Sequence, residues 1–220
     1  NTPIKADGII AIKIRDDDEL VAVRAVDPGQ EILMVSRAGL TVRFAESDAR
    51  AMGRDTSGVR GMAVGPRGEV IAMDVARDDQ DLLVVTVNGY GKRTKVSEYR
   101  KTSRGAKGVK TISLTEAKGA LAGALVVREH QELVFISQEG MVQRTGVRGI
   151  NRYGRASQGV KVMNIRDEDC VSAVALVMES EAETAAPVAA VSPNGEGPEE
   201  GPPLAEGPEG GAEAEENGEA

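Results

Sequence analysis

The sequence predicts an all-β fold: a propeller-like repeat of about 50 residues per four-stranded blade, followed by a disordered acidic tail. Three observations carry this reading. Identical residues recur in columns at a constant step, the apolar runs between them are brief and rich in Val, Ile and Leu, and no window of twelve or more residues holds a helical stripe. The step is read from Gly8-Ile9, Gly58-Val59, Gly108-Val109 and Gly159-Val160, spaced 50, 50 and 51 residues apart. Ala22, Ala72, Ala122 and Ala173 keep the same register, as do Gly39 with Arg43, Gly89 with Arg93 and Gly140 with Arg144. Arg54, Arg104 and Arg155 each stand four residues before a Gly-Val pair. A period of this length marks supersecondary units that stack to bury a shared core.

Taken in order, residues 1–28 form an opening half unit without its first hairpin. The unit 29–78 reads as strands over 31–36, 40–44, 59–63 and 69–75. In the unit 79–128, strands over 81–87 and 90–95 flank Asn88-Gly89, a pair suited to the positive-φ positions of a type I′ hairpin. The unit 129–177 repeats the pattern, so residues 1–177 make a partial ring of half a blade and three blades. Closing it would need material before Asn1, and an opening Asn in place of Met leads us to expect a longer polypeptide. From Met178 to Ala220 the composition changes to six of the nine Pro, abundant Gly and Ala, and no aromatic residue. Such a segment cannot bury enough apolar surface to offset its ordering entropy, and disorder is expected for 178–220.

Charge divides along the same line. Residues 178–220 hold twelve Glu and no basic side chain, whereas 1–177 hold all 27 Lys and Arg against 23 acidic residues. The formal net charge of -8 therefore describes the tail, and the repeats are mildly basic. A single cysteine, Cys170, excludes an intramolecular disulfide framework and a Cys-based zinc site, and is read as a small buried hydrophobe. No apolar run approaches the roughly 18 residues of a spanning helix and no signal peptide opens the chain, so a soluble, cytoplasmic protein is expected.

Basic residues gather in the connection between each hairpin and the following Gly-Val pair. Lys92, Arg93, Lys95, Arg100, Lys101, Arg104, Lys107 and Lys110 stand together against Glu98 alone, and Arg144, Arg148, Arg152, Arg155 and Lys161 follow in the next unit with no acid among them. The earlier unit is diluted, with Arg43, Arg50, Arg54 and Arg60 facing Glu46, Asp48 and Asp55. Equivalent loops occupy equivalent places on successive blades, so these clusters are expected to line one edge of the arc as a curved basic track. Double-stranded DNA, with one charge per ~1.7 Å of axis, is the natural polyanion for it. Single strands fit less well, because stacking needs aromatics and the repeats offer only Phe44, Phe135, Tyr90, Tyr99 and Tyr153.

Several segments carry a resemblance. These are Val87-Asn88-Gly89-Tyr90-Gly91-Lys92-Arg93-Thr94, Glu98-Tyr99-Arg100, Thr102-Ser103-Arg104-Gly105-Ala106-Lys107-Gly108-Val109-Lys110 and Gly154-Arg155-Ala156-Ser157-Gln158-Gly159-Val160. Together they resemble the C-terminal domain of the bacterial DNA gyrase A subunit over about residues 1–177. The resemblance implies a β-pinwheel, a propeller relative of six blades that exchange strands, with duplex DNA wrapped around a basic rim. Wrapping of this kind lets an ATP-dependent type II topoisomerase introduce negative supercoils. Also implied are an A2B2 assembly whose other partner is the gyrase B subunit, ATP and magnesium in the holoenzyme, and no cofactor or catalytic residue in this part. Arg104-Gly105-Ala106-Lys107-Gly108 is similar to the family's wrapping box, although the standard Gln-Arg-Arg opening and paired glycines are absent and expected upstream. On this view Arg104, Lys107, Lys110, Arg144, Arg152 and Arg155 are the principal phosphate ligands. Lys92, Arg93, Lys95, Arg100 and Lys101 support them, with Arg148 and Lys161 on the same track. One alternative is the C-terminal domain of the topoisomerase IV A subunit. Another is a kelch-like protein-binding propeller, disfavoured by the absence of Trp and, within the repeats, of the expected double-glycine motif. The acidic tail could compete with phosphate for the rim.

Other signals are set aside. Gly89-Tyr90-Gly91-Lys92-Arg93-Thr94 lacks Walker A spacing and a following helix. His130 stands alone in a polar loop, and Asp16-Asp17-Asp18-Glu19 lacks the ligand alternation of a calcium loop, so both read as surface. Tyr90, Tyr99 and Tyr153 have no clustered carboxylates for metal-assisted cleavage and are expected to touch the sugar-phosphate backbone at most.

Overall fold

The computed structural model describes residues 8–66 and 68–177, and the tail assigned to 178–220 lies outside them. The strands, in chain order, are β1 (Glu31–Ser36), β2 (Leu40–Ala45), β3 (Val70–Ala76), β4 (Asp81–Thr86), β5 (Tyr90–Lys95), β6 (Val109–Lys110), β7 (Leu121–Val127), β8 (Glu132–Ser137), β9 (Val142–Gly146), β10 (Val160–Lys161) and β11 (Val171–Leu176). They form three antiparallel sheets ordered β3-β1-β2-β6, β10-β5-β4-β7 and β11-β8-β9. The fold is the all-β, propeller-like repeat expected.

Each sheet takes its hairpin and one flanking strand from a single unit, and in the first two sheets a fourth strand comes from the next unit. β6 lies on β2 with Leu40 opposite Lys110 and Thr41 opposite Val109. β10 lies on β5 with Val160 opposite Gly91 and Lys161 opposite Tyr90. On the opposite edge of the sheets β3 packs beside β7 and β7 beside β11. Those strands therefore form the inner side of the array, and β6 and β10 the outer side. Glycine is required where the exchanged strands begin. Gly108 (φ +89) brings its Cα so close to β2 that a Cβ would lie 2.6 Å from the Thr41 carbonyl oxygen, and at Gly159 (φ +73) it would lie 2.7 Å from that of Gly91.

The structure departs from the sequence reading at two points, the first explained by the exchange. Residues 59–63 form no strand, although Ala63 N–H donates to the Ala106 carbonyl at 3.0 Å. The hairpin to receive them would have to come from before residue 29, and residues 8–28 contain no strand. Ile10 and Val23 are accordingly 77% and 70% exposed. The hairpin turn also differs. Val87, Asn88 and Gly89 form a three-residue loop in which only Gly89 has positive φ (+76), and Gly89 N–H donates to the Thr86 carbonyl at 3.0 Å. This is a type I turn followed by a left-handed glycine rather than a type I′ turn. Asn88 instead directs its amide to the Ala117 carbonyl at 2.9 Å.

The core lies between sheets, because alternate residues of each strand face opposite neighbours. Leu33 and Val35 of β1 meet Leu82 and Val84 of β4 on one side. Leu83 and Val85, the alternate residues of β4, meet Leu133 and Phe135 of β8 on the other. All six residues of β4 are buried, as the central layer of three demands.

Candidate nucleic-acid interface

The recurring arginine column does not lie on the rim. Arg43 donates to Glu31 at 2.5 Å and Asp78 at 2.7 Å, and reaches the Val96 and Tyr99 carbonyls of the next unit at 3.2 Å each. Burial opposes the ionisation of Glu31, but the hydrogen bonds from Arg43 and Lys101 prevail and hold its carboxyl below the usual range. Arg93 repeats the device one blade on: it donates to Asp81 at 3.0 Å, Glu129 at 3.1 Å and the Ile150 carbonyl at 2.7 Å, and is 6% exposed. Arg152 closes on the same Asp81 carboxylate at 2.9 and 3.1 Å. Arg144, in the last sheet, pairs with Glu132. These arginines pin each blade to its successor or to an acid within its own sheet. Arg93 is thus removed from the set of phosphate ligands, and Arg144 and Arg152 enter it only by giving up a carboxylate.

Lys92 also lies inside. It is fully buried, and its ammonium donates to the Gly154 carbonyl at 2.5 Å, the Arg155 carbonyl at 2.8 Å and Ser157 Oγ at 2.9 Å. Burial, with Glu98 opposing, lowers its pKa to about 8. Tyr99 is 1% exposed in the core, so its expected backbone contact with a nucleic acid is ruled out, and burial pushes its phenol up to about 12.

The remaining cations face solvent. Lys95, Arg100, Lys107, Lys110, Arg148 and Lys161 are exposed and make no ion pair among the described residues. Lys110 and Lys161 occupy the same place in successive blades, at the end of each exchanged outer strand. Lys101 is exposed but paired to Glu31 at 3.2 Å. Arg104 is half-buried and donates to the Asp48 and Arg60 carbonyls at 2.7 and 2.6 Å, whereas its equivalent Arg155 has no hydrogen-bonded side-chain partner among the described residues. Lys118 is a member the sequence reading missed. Its ammonium sits 5.0 Å from the Tyr90 ring centre, with that of Lys161 at 5.8 Å, so both cations contact the same aromatic ring. The signal available in the sequence, one Lys in an otherwise mixed loop, is too weak to single it out. Outside this set, His130 is exposed and Asp16-Asp17 lie in a turn, as read from the sequence. Cys170 is half-buried, with its thiol against Gln138 Oε1 at 3.2 Å.

Blades that lend a strand to their predecessor, with unpaired lysines on the lent strands, define a strand-exchanging β-propeller with a cationic outer side. A family model described as "DNA gyrase C-terminal domain, beta-propeller" matches residues 3–27, 30–77, 80–128 and 131–178, and the chain belongs to that family. The DNA gyrase A subunit of Staphylococcus epidermidis is 41% identical over 180 residues, which cover 81% of this chain and 20% of the relative. That of Staphylococcus aureus is 40% identical over 178 residues, covering 80% and 20%. The chain spans about a fifth of the length of the curated relatives it matches. A solved DNA gyrase A C-terminal domain superposes with TM-score 0.71 at 26% identity, covering 78% of this chain and 59% of that one. The C-terminal domain of a DNA topoisomerase IV shares the fold, with TM-score 0.71 at 24% identity over 76% of this chain and 52% of that one. Gyrase A is the main reading of the two.

Proposed function

We propose that the chain binds double-stranded DNA along the outer side of its blades and bends it without reading sequence, as the wrapping part of a gyrase A subunit. The observation that carries this is the row of unpaired cations on the outer strands and flanking loops of successive blades: Lys95, Arg100, Lys107, Lys110, Arg148 and Lys161, with Arg155 beside them. Bending a duplex over tens of base pairs costs several kcal/mol, with a persistence length of about 150 bp. Distributed phosphate contacts offset that cost and need no base readout.

On this reading the whole enzyme is an ATP-dependent type II topoisomerase of gyrase A and B subunits in an A2B2 assembly, acting in the cytoplasm, and the wrap makes it introduce negative supercoils. ATP and magnesium belong to other parts of that enzyme. Among the described residues no cluster of three or more His, Cys, Asp or Glu side chains is arranged to hold a metal ion. No helix among them is long and apolar enough to cross a membrane. The twelve Glu of 178–220 compete with phosphate for the outer side and moderate the wrap.

Duplex affinity measured against salt tests both parts. Seven neutralised phosphates give a slope of log K against log salt of about -6. A flat titration removes the electrostatic rim. The chain ending at residue 177 should bind more tightly than the whole chain at low salt; equal affinities reject the competing tail.

A further inference from the structure

Lys92 is a lysine with no exposed surface in a cationic neighbourhood, and its three N–H donors are fully used on one turn of the next unit, at Gly154, Arg155 and Ser157. Neighbouring bonds tie the same segment to β5: Tyr153 N–H donates to the Arg93 carbonyl at 2.9 Å, and Thr94 Oγ1 donates to the Tyr153 carbonyl at 2.7 Å. The equivalent turn at the preceding joint is held differently. Position 42 there is Val, with no donor to offer, and the Arg104 guanidinium itself fastens the turn through the Asp48 and Arg60 carbonyls. At the second joint Lys92 does this from below, so the Arg155 guanidinium is spared. Arg155 then lines an open groove of about 600 Å³ together with Lys110, the terminal residue of the preceding outer strand, and Glu98. A duplex passing from one blade to the next would meet Lys110 and Arg155 in succession.

We propose that Lys92 is a positioning residue for DNA binding: it never touches the duplex, but by holding the 154–157 turn from inside it frees Arg155 and aims it at a phosphate beside Lys110. The proposal rests on the duplex-binding reading. It makes Lys92 and Arg155 one functional unit, and their losses should not add.

The test is a double-mutant cycle on the full chain with random-sequence duplex DNA, read as the salt slope of affinity. Arg155→Ala should lower the slope by about one unit and the affinity at 0.1 M salt by about five- to tenfold. Lys92→Met, with thermal unfolding confirming the fold, should produce the same loss, and the double variant no more than either alone. Lys107→Ala, an exposed cation outside the unit, serves as the reference. If Lys107→Ala lowers the slope and Lys92→Met does not, or if the losses of Lys92→Met and Arg155→Ala add to about two units, the positioning role is overturned while duplex binding stands. If the unmodified chain shows no salt slope, the duplex-binding reading itself fails. Should Lys92→Met not fold, Ser157→Ala, which keeps the ammonium and removes its side-chain acceptor, carries the same cycle: additivity with Arg155→Ala again overturns the proposal.

Discussion

Replacing Asp81 with alanine should be among the most damaging polar substitutions in the molecule. The carboxylate is 5% exposed and serves two guanidiniums from different units, Arg93 at 3.0 Å and Arg152 at 2.9 Å. Its loss leaves the Arg93 side chain, 7% exposed, with a surface acid, Glu129, and one carbonyl, that of Ile150. Removing one partner of a buried pair costs about 3–5 kcal/mol, and the two surviving acceptors place this case at the lower end, about 3 kcal/mol. At about 2–4 °C per kcal/mol for a domain of this size, the melting temperature should fall by about 6–12 °C. Arg152→Ala is the internal comparison. That side chain is 41% exposed and its removal leaves Asp81 paired with Arg93, so about 1 kcal/mol or less is expected. Thermal unfolding followed by far-UV circular dichroism measures both. If Asp81→Ala melts no lower than Arg152→Ala, the joint is not held by this carboxylate and the assignment of the arginine column to blade junctions is wrong.

Two further outcomes are expected. Gly108→Ala combines left-handed strain with a Cβ 2.6 Å from the Thr41 carbonyl and should cost about 2–4 kcal/mol, whereas Gly140→Ala, at φ +86 with open space around it, should cost about 1–2. Equal costs in urea unfolding would show that β6 is not held close against β2. Lys92 makes stability depend on pH. Its pKa is about 8 folded and 10.5 when unperturbed, so the unfolded chain binds the extra proton across that window and stability rises with pH through it. The rise is at most about 1.4 kcal/mol per pH unit and should vanish in Lys92→Met. Tyr99, raised from 10.0 to about 12, acts in the opposite sense only above pH 10, where the unfolded phenol loses its proton first. A profile between pH 8 and 10 that is unchanged in Lys92→Met would contradict the buried ammonium.

The strands were readable because short continuous apolar runs such as Leu82 to Val85 can be buried on both faces only by a sheet between two others, and the 50-residue columns fix where each begins. The division of cations between joint and rim was not readable. A repeated arginine leaves the same trace whether its partner is phosphate or a carboxylate one blade away. A second column could have separated them: Glu31, Asp81 and Glu132 each precede Arg43, Arg93 and Arg144 by twelve residues, and this acid column travels with the arginines. Lys92 misleads for another reason. Tyr90-Gly91-Lys92-Arg93-Thr94-Lys95 looks solvated throughout, yet every residue from Gly91 to Thr94 is buried because β10 and the 150–157 connection cover the strand.

Because an outer strand always comes from the following unit, the array has a direction. Damage confined to 103–110 would strip the sheet formed by 29–78 while sparing the hairpin of its own unit, and a chain cut after residue 128 would bare the edge of β5 along with the face of β4 that packs on β8. The loss of an exchanged strand is therefore felt by the neighbour on the amino-terminal side, and the most carboxy-terminal sheet borrows no strand among the described residues.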